Sequence, residues 1–125
     1  MGILFAVGVG GGLGALARYY IAAALQPAGV AFNWGILIVN VSGGLVMGLI
    51  VEASALKLNL SPELRAFLTV GILGGYTTFS TFSLDSALLL QRGEYAQAAA
   101  YVIGSVVLSI LALFAGLWIV RVVYA

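Results

Sequence analysis

Four long apolar stretches, separated by three short polar segments, form the basic pattern of this chain. The polar segments lie at about residues 25–33, 57–62 and 91–94. Each apolar stretch reaches the roughly 20 residues that a helix needs to cross a bilayer. We therefore predict one all-α domain over residues 1–125, an integral membrane protein with transmembrane helices at about 2–24, 34–55, 62–90 and 95–123.

The composition supports a membrane protein, because 63% of the 125 residues are hydrophobic and only 7% are charged. Soluble domains carry about 25% charged residues, so this chain cannot cover a water-facing surface. It has no histidine and no cysteine, which removes the usual proton shuttle and the thiolate metal ligands. We therefore expect no enzyme. The net charge of +1 gives no reason to expect nucleic acid, and four helices enclose so little interior that we expect an oligomer.

The third apolar stretch contains the most unusual segment, residues 71–85, in which two glycines precede a run of hydroxyl side chains. The hydroxyls belong to Thr77, Thr78, Ser80, Thr81 and Ser83. Polar groups at membrane depth are costly unless they line a cavity or are buried in protein. Because each glycine lowers helix stability by roughly 1 kcal/mol relative to alanine, we predict that the third helix is broken at Gly74-Gly75, with an unwound segment at about residues 74–78 between two half-helices. Close helix packing is the alternative explanation for the glycine pair.

Other side chains suit the passage of a small anion. Phe79 and Phe82 are three residues apart and share a helix face, and the positive edge of an aromatic ring can face an anion. Asn40 either bonds a neighbouring helix or donates to the ion, and the sequence leaves both readings open. The hydroxyls of Tyr101, Ser105 and Ser109 recur at four-residue spacing and form one polar stripe. We favour a stripe that lines the ion path over hydrogen bonds from these hydroxyls to carbonyls of their own helix.

The basic residues give almost no preferred orientation in the membrane. Lys57, Arg65 and Arg121 lie on one side of the predicted bundle, and Arg18 and Arg92 lie on the other. Such a chain can insert both ways, so two oppositely oriented copies can pair about an axis in the membrane plane. The glycine breaks would then meet near that axis, where carbonyls from both copies could hold a small cation.

The segment Gly74-Gly-Tyr-Thr-Thr-Phe-Ser-Thr-Phe-Ser83 resembles the signature of the small fluoride channel family of bacteria (Fluc/CrcB, the camphor-resistance proteins). Arg18, Trp34-Gly35 and Asn40 also resemble the family pattern, and the similarity extends over nearly the whole chain. The resemblance implies an antiparallel, dual-topology homodimer in the bacterial inner membrane. Its implied function is a fluoride-specific ion channel that passively exports fluoride and so limits its toxicity.

The resemblance also implies roles for individual residues. The fluoride pathway would comprise Asn40, Phe79, Thr81, Phe82, Ser83, Asp85, Tyr101, Ser105 and Ser109. Arg18 would lie at a vestibule, and the backbone carbonyls of Gly74 and Thr77 would hold a structural sodium ion as the one cofactor. The chain departs from the family at three positions, with Ile36 where threonine is frequent, Asp85 where glutamate is usual and Tyr76 where an aliphatic residue is more usual.

Two other functions are compatible with a short four-span chain. A small multidrug exporter of dual topology exchanges protons for a cationic drug through a membrane carboxylate, which such exporters carry in the first helix. The first predicted helix has no acid, so Asp85 would have to serve instead. A structural subunit without transport is the second alternative, and it leaves the hydroxyl-rich segment unexplained.

Overall fold

The computed structural model describes residues 2–124, and all regular secondary structure within that range is helical. Its four membrane-spanning helices are α1 (Gly2–Leu25), α2 (Trp34–Leu56), a third span (Pro62–Gln91) and α6 (Tyr95–Val123). All four are long and apolar enough to cross a bilayer. The prediction of four transmembrane helices is confirmed, with ends within two residues of those expected from the sequence.

Local sequence explains where two of the spans begin. Ser61 precedes Pro62 and accepts a hydrogen bond from the backbone N–H of Leu64 at 3.1 Å, which caps the third span. Asn33 caps α2 in the same way, because its Oδ1 accepts from the N–H of Ile36 at 3.0 Å. Both caps satisfy N–H groups that the first turn of a helix leaves unpaired.

The third span is not one regular helix. It starts as α3 (Pro62–Ala66), continues as a π-helix (Phe67–Leu73) and then as α4 (Gly74–Tyr76), and resumes as α5 (Ser80–Gln91). The helix therefore breaks at residues 77–79, where Thr77 has an extended backbone with φ −83° and ψ 158°. The π-helical stretch is a feature that the residue pattern did not indicate.

The predicted break at Gly74-Gly75, over about residues 74–78, therefore overlaps the observed one at Thr77 and Thr78 but begins too early. Gly74 is helical, with φ −63° and ψ −36°, and Gly75 lies in the same turn. Steric packing explains the second glycine, because a Cβ at Gly75 would collide with the carbonyl of Gly11 in α1. The packing alternative thus accounts for Gly75, and the irregular backbone begins two residues later.

Backbone-to-backbone packing organises the helices into two close pairs. α1 lies against the π-helix and α4, where a Cβ at Gly10 would come within 2.7 Å of the Phe67 carbonyl oxygen and one at Gly14 would collide with the Ile72 carbonyl. α2 lies against α6, where Gly48 faces the carbonyl of Leu113. Small residues allow this approach, which maximises dispersion contacts in the absence of a hydrophobic driving force.

A small core forms where α2, α5 and α6 meet. It consists of Leu37, Phe82, Leu89, Ala98 and Tyr101. At the opposite end of α2, Glu52 accepts from Arg121 at 3.2 Å, and the Lys57 ammonium lies 5.6 Å from the centre of the Tyr124 ring. These contacts place the second loop and the end of α6 on the same side, as the sequence predicts.

We predict that Gly14→Ala destabilises the protein by at least about 1–3 kcal/mol, because the added methyl group would collide with backbone atoms of the neighbouring helix. The apparent melting temperature of the purified protein in detergent is the measurement. Gly12→Ala is the matched control on the same helix, since a Cβ there meets nothing within 4 Å. Equal melting temperatures for the two variants would contradict the packing described here.

Candidate functional site

The side chain of Asn40 spans the break in the third span. Its Nδ2 donates to the carbonyl oxygen of Thr78 at 3.1 Å, and its Oδ1 accepts from the N–H of the same residue at 2.9 Å. One amide from α2 therefore replaces both backbone bonds that Thr78 loses by leaving the helix. The bond between helices that the sequence left open is present, and the second N–H of Nδ2 stays available for a further acceptor.

Thr78 also starts the second half of the third span. Its Oγ1 accepts from the N–H of Thr81 at 3.2 Å and donates to the Thr81 hydroxyl at the same distance. Two other hydroxyls bond carbonyls four residues earlier, Thr77 to Leu73 at 2.9 Å and Ser83 to Phe79 at 2.9 Å. Both of these carbonyls also accept a backbone N–H, so Thr78 alone among the three supplies a partner that the backbone would otherwise lack.

Arg18 reaches the same break from α1. Its Nη1 donates to the carbonyl oxygen of Gly75 at 3.0 Å and to that of Thr77 at 3.4 Å. The guanidinium therefore neutralises carbonyl groups at the end of α4, where a helix carries partial negative charge. Arg18 also lines a cavity of about 340 Å³ together with Gln26, Asn33, Ile36 and Thr81.

A groove of about 440 Å³ lies between α2, the break and α6. Its chemically distinctive lining residues are Asn40, Thr78, Phe79, Phe82, Ser105 and Ser109, and apolar side chains such as Met47 and Leu113 form the remainder. The structure therefore brings five of the residues predicted for the fluoride pathway into one groove, although they come from three different spans, and Thr77, predicted for the sodium site, lines it as well. No charged side chain of the described chain lines it.

The two phenylalanines of the groove have different environments. Their ring centres are 5.4 Å apart, as expected for residues that share a face. Phe82 is buried and lies 5.5 Å from the ring of Tyr101, whereas Phe79 is 76% exposed. One ring is thus held by the core of the chain, and the other lies on its surface at the mouth of the groove.

Ser105 is the one buried side chain in the described residues with a polar atom that lacks a hydrogen-bond partner. Ser105 is only 5% exposed, and it lines the groove one turn before Ser109. Buried hydroxyls normally find a partner, because an unpaired one costs about 1–3 kcal/mol. The free capacity of Ser105 therefore marks a place where the groove can bond a ligand.

Asp85 accepts two hydrogen bonds at one carboxylate oxygen. Its Oδ2 receives the hydroxyl of Tyr101 and the Nδ2 of Asn33, each at 2.9 Å. Aspartate is therefore long enough to reach the stripe on α6, although it is one methylene shorter than the residue usual in the similar family. Tyr101 is fully buried and connects Asp85 to the groove through its ring contact with Phe82.

The remaining predicted residues lie around the groove rather than in it. Thr81 lines the cavity of Arg18, and Ser83 is exposed and bonded to its own helix. Asn33 was missed by the sequence reasoning. Its position just before an apolar helix is a signal for a helix cap, but no local signal indicates its bond to a carboxylate 52 residues later in the chain.

The break also exposes backbone carbonyls. In a continuous helix the N–H of Thr78 would bond the Gly74 carbonyl, but here it donates to Asn40 instead. The N–H of Thr77 donates to Leu73. The carbonyl oxygen of Gly74 is therefore left without its helical donor, and that of Thr77 accepts from Arg18 alone among the side chains of the described residues.

Comparison with known proteins identifies one family. The sequence model of the family described as "CrcB-like protein, Camphor Resistance (CrcB)" matches residues 5–117. Among curated relatives, the fluoride-specific ion channel FluC of Nitrobacter winogradskyi is 52% identical over 121 residues, which is 96% of each chain. FluC of Rhizobium meliloti is 49% identical over 122 residues, covering 97% of this chain and 98% of the relative.

We predict that Asn40→Leu destabilises the protein by about 2–6 kcal/mol, because the backbone N–H and C=O of Thr78 would each lose a partner in a low-dielectric region, at about 1–3 kcal/mol apiece. Thermal unfolding in detergent measures the loss, and hydrogen exchange should accelerate at the Thr78 amide. Ser42→Ala is the matched control on α2, since it removes a bond between two side chains, Ser42 and Tyr76, and leaves the break intact. Unchanged exchange at Thr78 in Asn40→Leu would show that the amide does not hold the break.

Proposed function

Because the chain belongs to the CrcB family of camphor-resistance proteins, we propose that it is a fluoride-specific ion channel. It is a multi-pass protein of the bacterial cell membrane. Passive export of fluoride from the cytoplasm would limit the toxicity of the ion. The observation that carries the proposal is the groove, in which Asn40, both phenylalanines and an unpartnered Ser105 hydroxyl converge.

The chemistry of the groove suits a small anion that must pass through. Asn40 and Ser105 provide neutral donors that can replace part of the hydration shell of fluoride. The rings of Phe79 and Phe82 add positive edges without a full charge. A lysine or arginine in such a low-dielectric site would bind an anion too strongly to release it, and the described lining contains neither.

We infer a homodimer from the incomplete burial of this site. Phe79 is 76% exposed, and the polar groups of Asn40 and Ser109 line a groove that is open at the surface of a single chain. Polar groups that face hydrocarbon are costly, so a second copy covering the groove is the favourable arrangement. The nearly equal distribution of basic residues favours an antiparallel, dual-topology pair.

We also propose that the break holds a structural sodium ion. The Gly74 carbonyl has lost its helical donor, and neutral carbonyl oxygens are suitable ligands for a hard cation. No group of three acidic, histidine or cysteine side chains is available for a cation in the described residues, so carbonyls from two copies would supply the ligands. The Thr77 carbonyl would use one lone pair for the ion and the other for Arg18.

The sodium ion would neutralise converging carbonyl dipoles where two breaks meet. Gly74 and Thr77 of each copy are the residues that would hold it. Arg18 donates to the Gly75 and Thr77 carbonyls and would help to keep the break in its extended form.

The multidrug exporter is not favoured by these findings. Its mechanism needs a carboxylate that is free to exchange a proton for a cationic drug. Asp85 instead accepts from Tyr101 and Asn33 and lies outside the groove lining. The similarity over almost the whole chain to proteins named fluoride-specific channels points in the same direction.

We predict that Phe79→Ile and Phe82→Ile each lower the rate of fluoride efflux from proteoliposomes about tenfold, because each removes an aromatic edge contact of on the order of 1 kcal/mol. A fluoride-selective electrode measures the efflux. Phe5→Ile is the matched control, since Phe5 is 74% exposed on α1 and lies outside the groove.

The same vesicles test the proposal as a whole. Wild-type vesicles should release fluoride but retain chloride. Chloride release at a similar rate, or no fluoride release by correctly folded protein, would refute a fluoride-specific channel. Wild-type efflux from both phenylalanine variants would remove the rings from the mechanism while leaving the channel itself in place.

We predict that the protein inserts in both orientations. A cysteine added after Ala125 should react with a membrane-impermeant maleimide from each side of the membrane, in comparable amounts, because the basic residues give no strong preference. A control cysteine on a soluble cytoplasmic protein shows that the cells remain sealed. Labelling from one side alone would exclude an antiparallel dimer.

A further inference from the structure

Asn33, the last residue of the first loop, bonds two different partners through its side chain. The Oδ1 of Asn33 caps α2 by accepting from Ile36, and the Nδ2 of the same amide donates to Asp85 at 2.9 Å. The same Asp85 oxygen accepts from the fully buried Tyr101. Asn33 therefore joins the start of α2 to α5, at the carboxylate that bonds the polar stripe of α6.

The loop that carries Asn33 is held in place by a single glutamine. The Nε2 of Gln26 donates to the carbonyls of Val30 and Phe32 at 3.0 Å, and its Oε1 accepts from the N–H of Gly35 at 3.1 Å. Phe32 in turn lies edge-on to the Tyr101 ring at 5.2 Å. The position of Asn33 is thus fixed by contacts on both sides of it along the chain.

We propose that Asn33 is a positioning residue for ion conduction, which holds the Asp85 carboxylate against the Tyr101 hydroxyl. The inference rests on the proposed fluoride channel and adds a residue to its machinery. An amide is suited to the role because one end accepts from the α2 backbone while the other donates to a carboxylate. Without that donor, Asp85 would keep only Tyr101 as a partner and could turn its charge toward the path of the anion.

The charged and titratable groups around Asn33 come from three helices. Asp85 on α5 and Tyr101 on α6 form the network, and Arg18 and Tyr19 on α1 line the same cavity as Asn33. Arg18 is itself engaged with the carbonyls of the break.

Asn33→Asp tests the proposal, because it keeps the shape and the helix cap but replaces the donor by an acceptor. At neutral pH two carboxylates face each other, and we expect fluoride efflux to fall about tenfold. The Asp85 charge raises the pKa of the introduced carboxyl at position 33. As the pH falls through that raised pKa, the carboxyl at position 33 binds a proton. Its O–H then donates a hydrogen bond to Asp85, and we expect efflux to recover.

The measurement is the initial rate of fluoride efflux from vesicles between about pH 7.5 and 4.5, a range that covers an aspartate pKa raised from about 3.9 to between about 5 and 7. Empty vesicles at each pH correct for fluoride that crosses as the neutral acid. Asn33→Ser is the matched control, since serine also caps a helix but is too short to bridge to Asp85. We expect its efflux to be lowered at every pH without a recovery.

The outcomes separate the proposal from its alternatives. Recovery of efflux at low pH in Asn33→Asp alone supports a positioning role, because a helix cap would be unaffected by that proton. Wild-type efflux in both variants at every pH would show that Asn33 acts only as a helix cap and would overturn the proposal. If wild-type vesicles release no fluoride, the result refutes the proposed channel function itself and is thereby distinguished from a failure of the Asn33 proposal alone.

Discussion

The two hydrogen bonds between the Asn40 amide and the backbone of Thr78 are the interaction on which the site depends. A chain that leaves the helix inside a membrane exposes an N–H and a C=O, each at a cost of several kcal/mol. Asn40 pairs both from a neighbouring helix. Because the same residue lines the groove, the interaction that makes the break possible also sets the distance between α2 and the break at the groove wall.

The polar side chains near the break perform two kinds of task. The hydroxyl of Thr78 pairs the backbone N–H of Thr81, and those of Thr77 and Ser83 bond carbonyls that already accept a backbone N–H. Ser105 has no partner within the described chain, and one N–H of the Asn40 amide is still available. Most hydroxyls of the segment therefore bond within it, and only a few groups face the groove with free bonding capacity.

The third span connects two packing units. Its first half lies against α1 through contacts at Gly10, Gly14 and Gly75 that admit no side chain, and its second half meets α2 and α6 in the small core around Phe82. The irregular residues 77–79 join these halves, so the groove opens at the joint. Phe79 lies at this joint and is exposed, which leaves the wall of the groove incomplete in one chain and agrees with the proposal of a second copy.

The sequence by itself determined the four spans, the Ser61 cap, the shared face of the two phenylalanines and the stripe from Tyr101 to Ser109. These features follow from apolar length, capping residues and helical spacing, which are properties of neighbouring residues. Only the tertiary structure decided that the break lies at 77–79, that Asn40 closes it, that Arg18 binds carbonyls and that Asn33 holds Asp85. Gly75 shows the reason: its low helix propensity predicts a break, but the carbonyl of Gly11 requires a residue without a side chain within a helical turn. Which of the two effects prevails depends on how closely distant helices approach, and local sequence does not contain that distance.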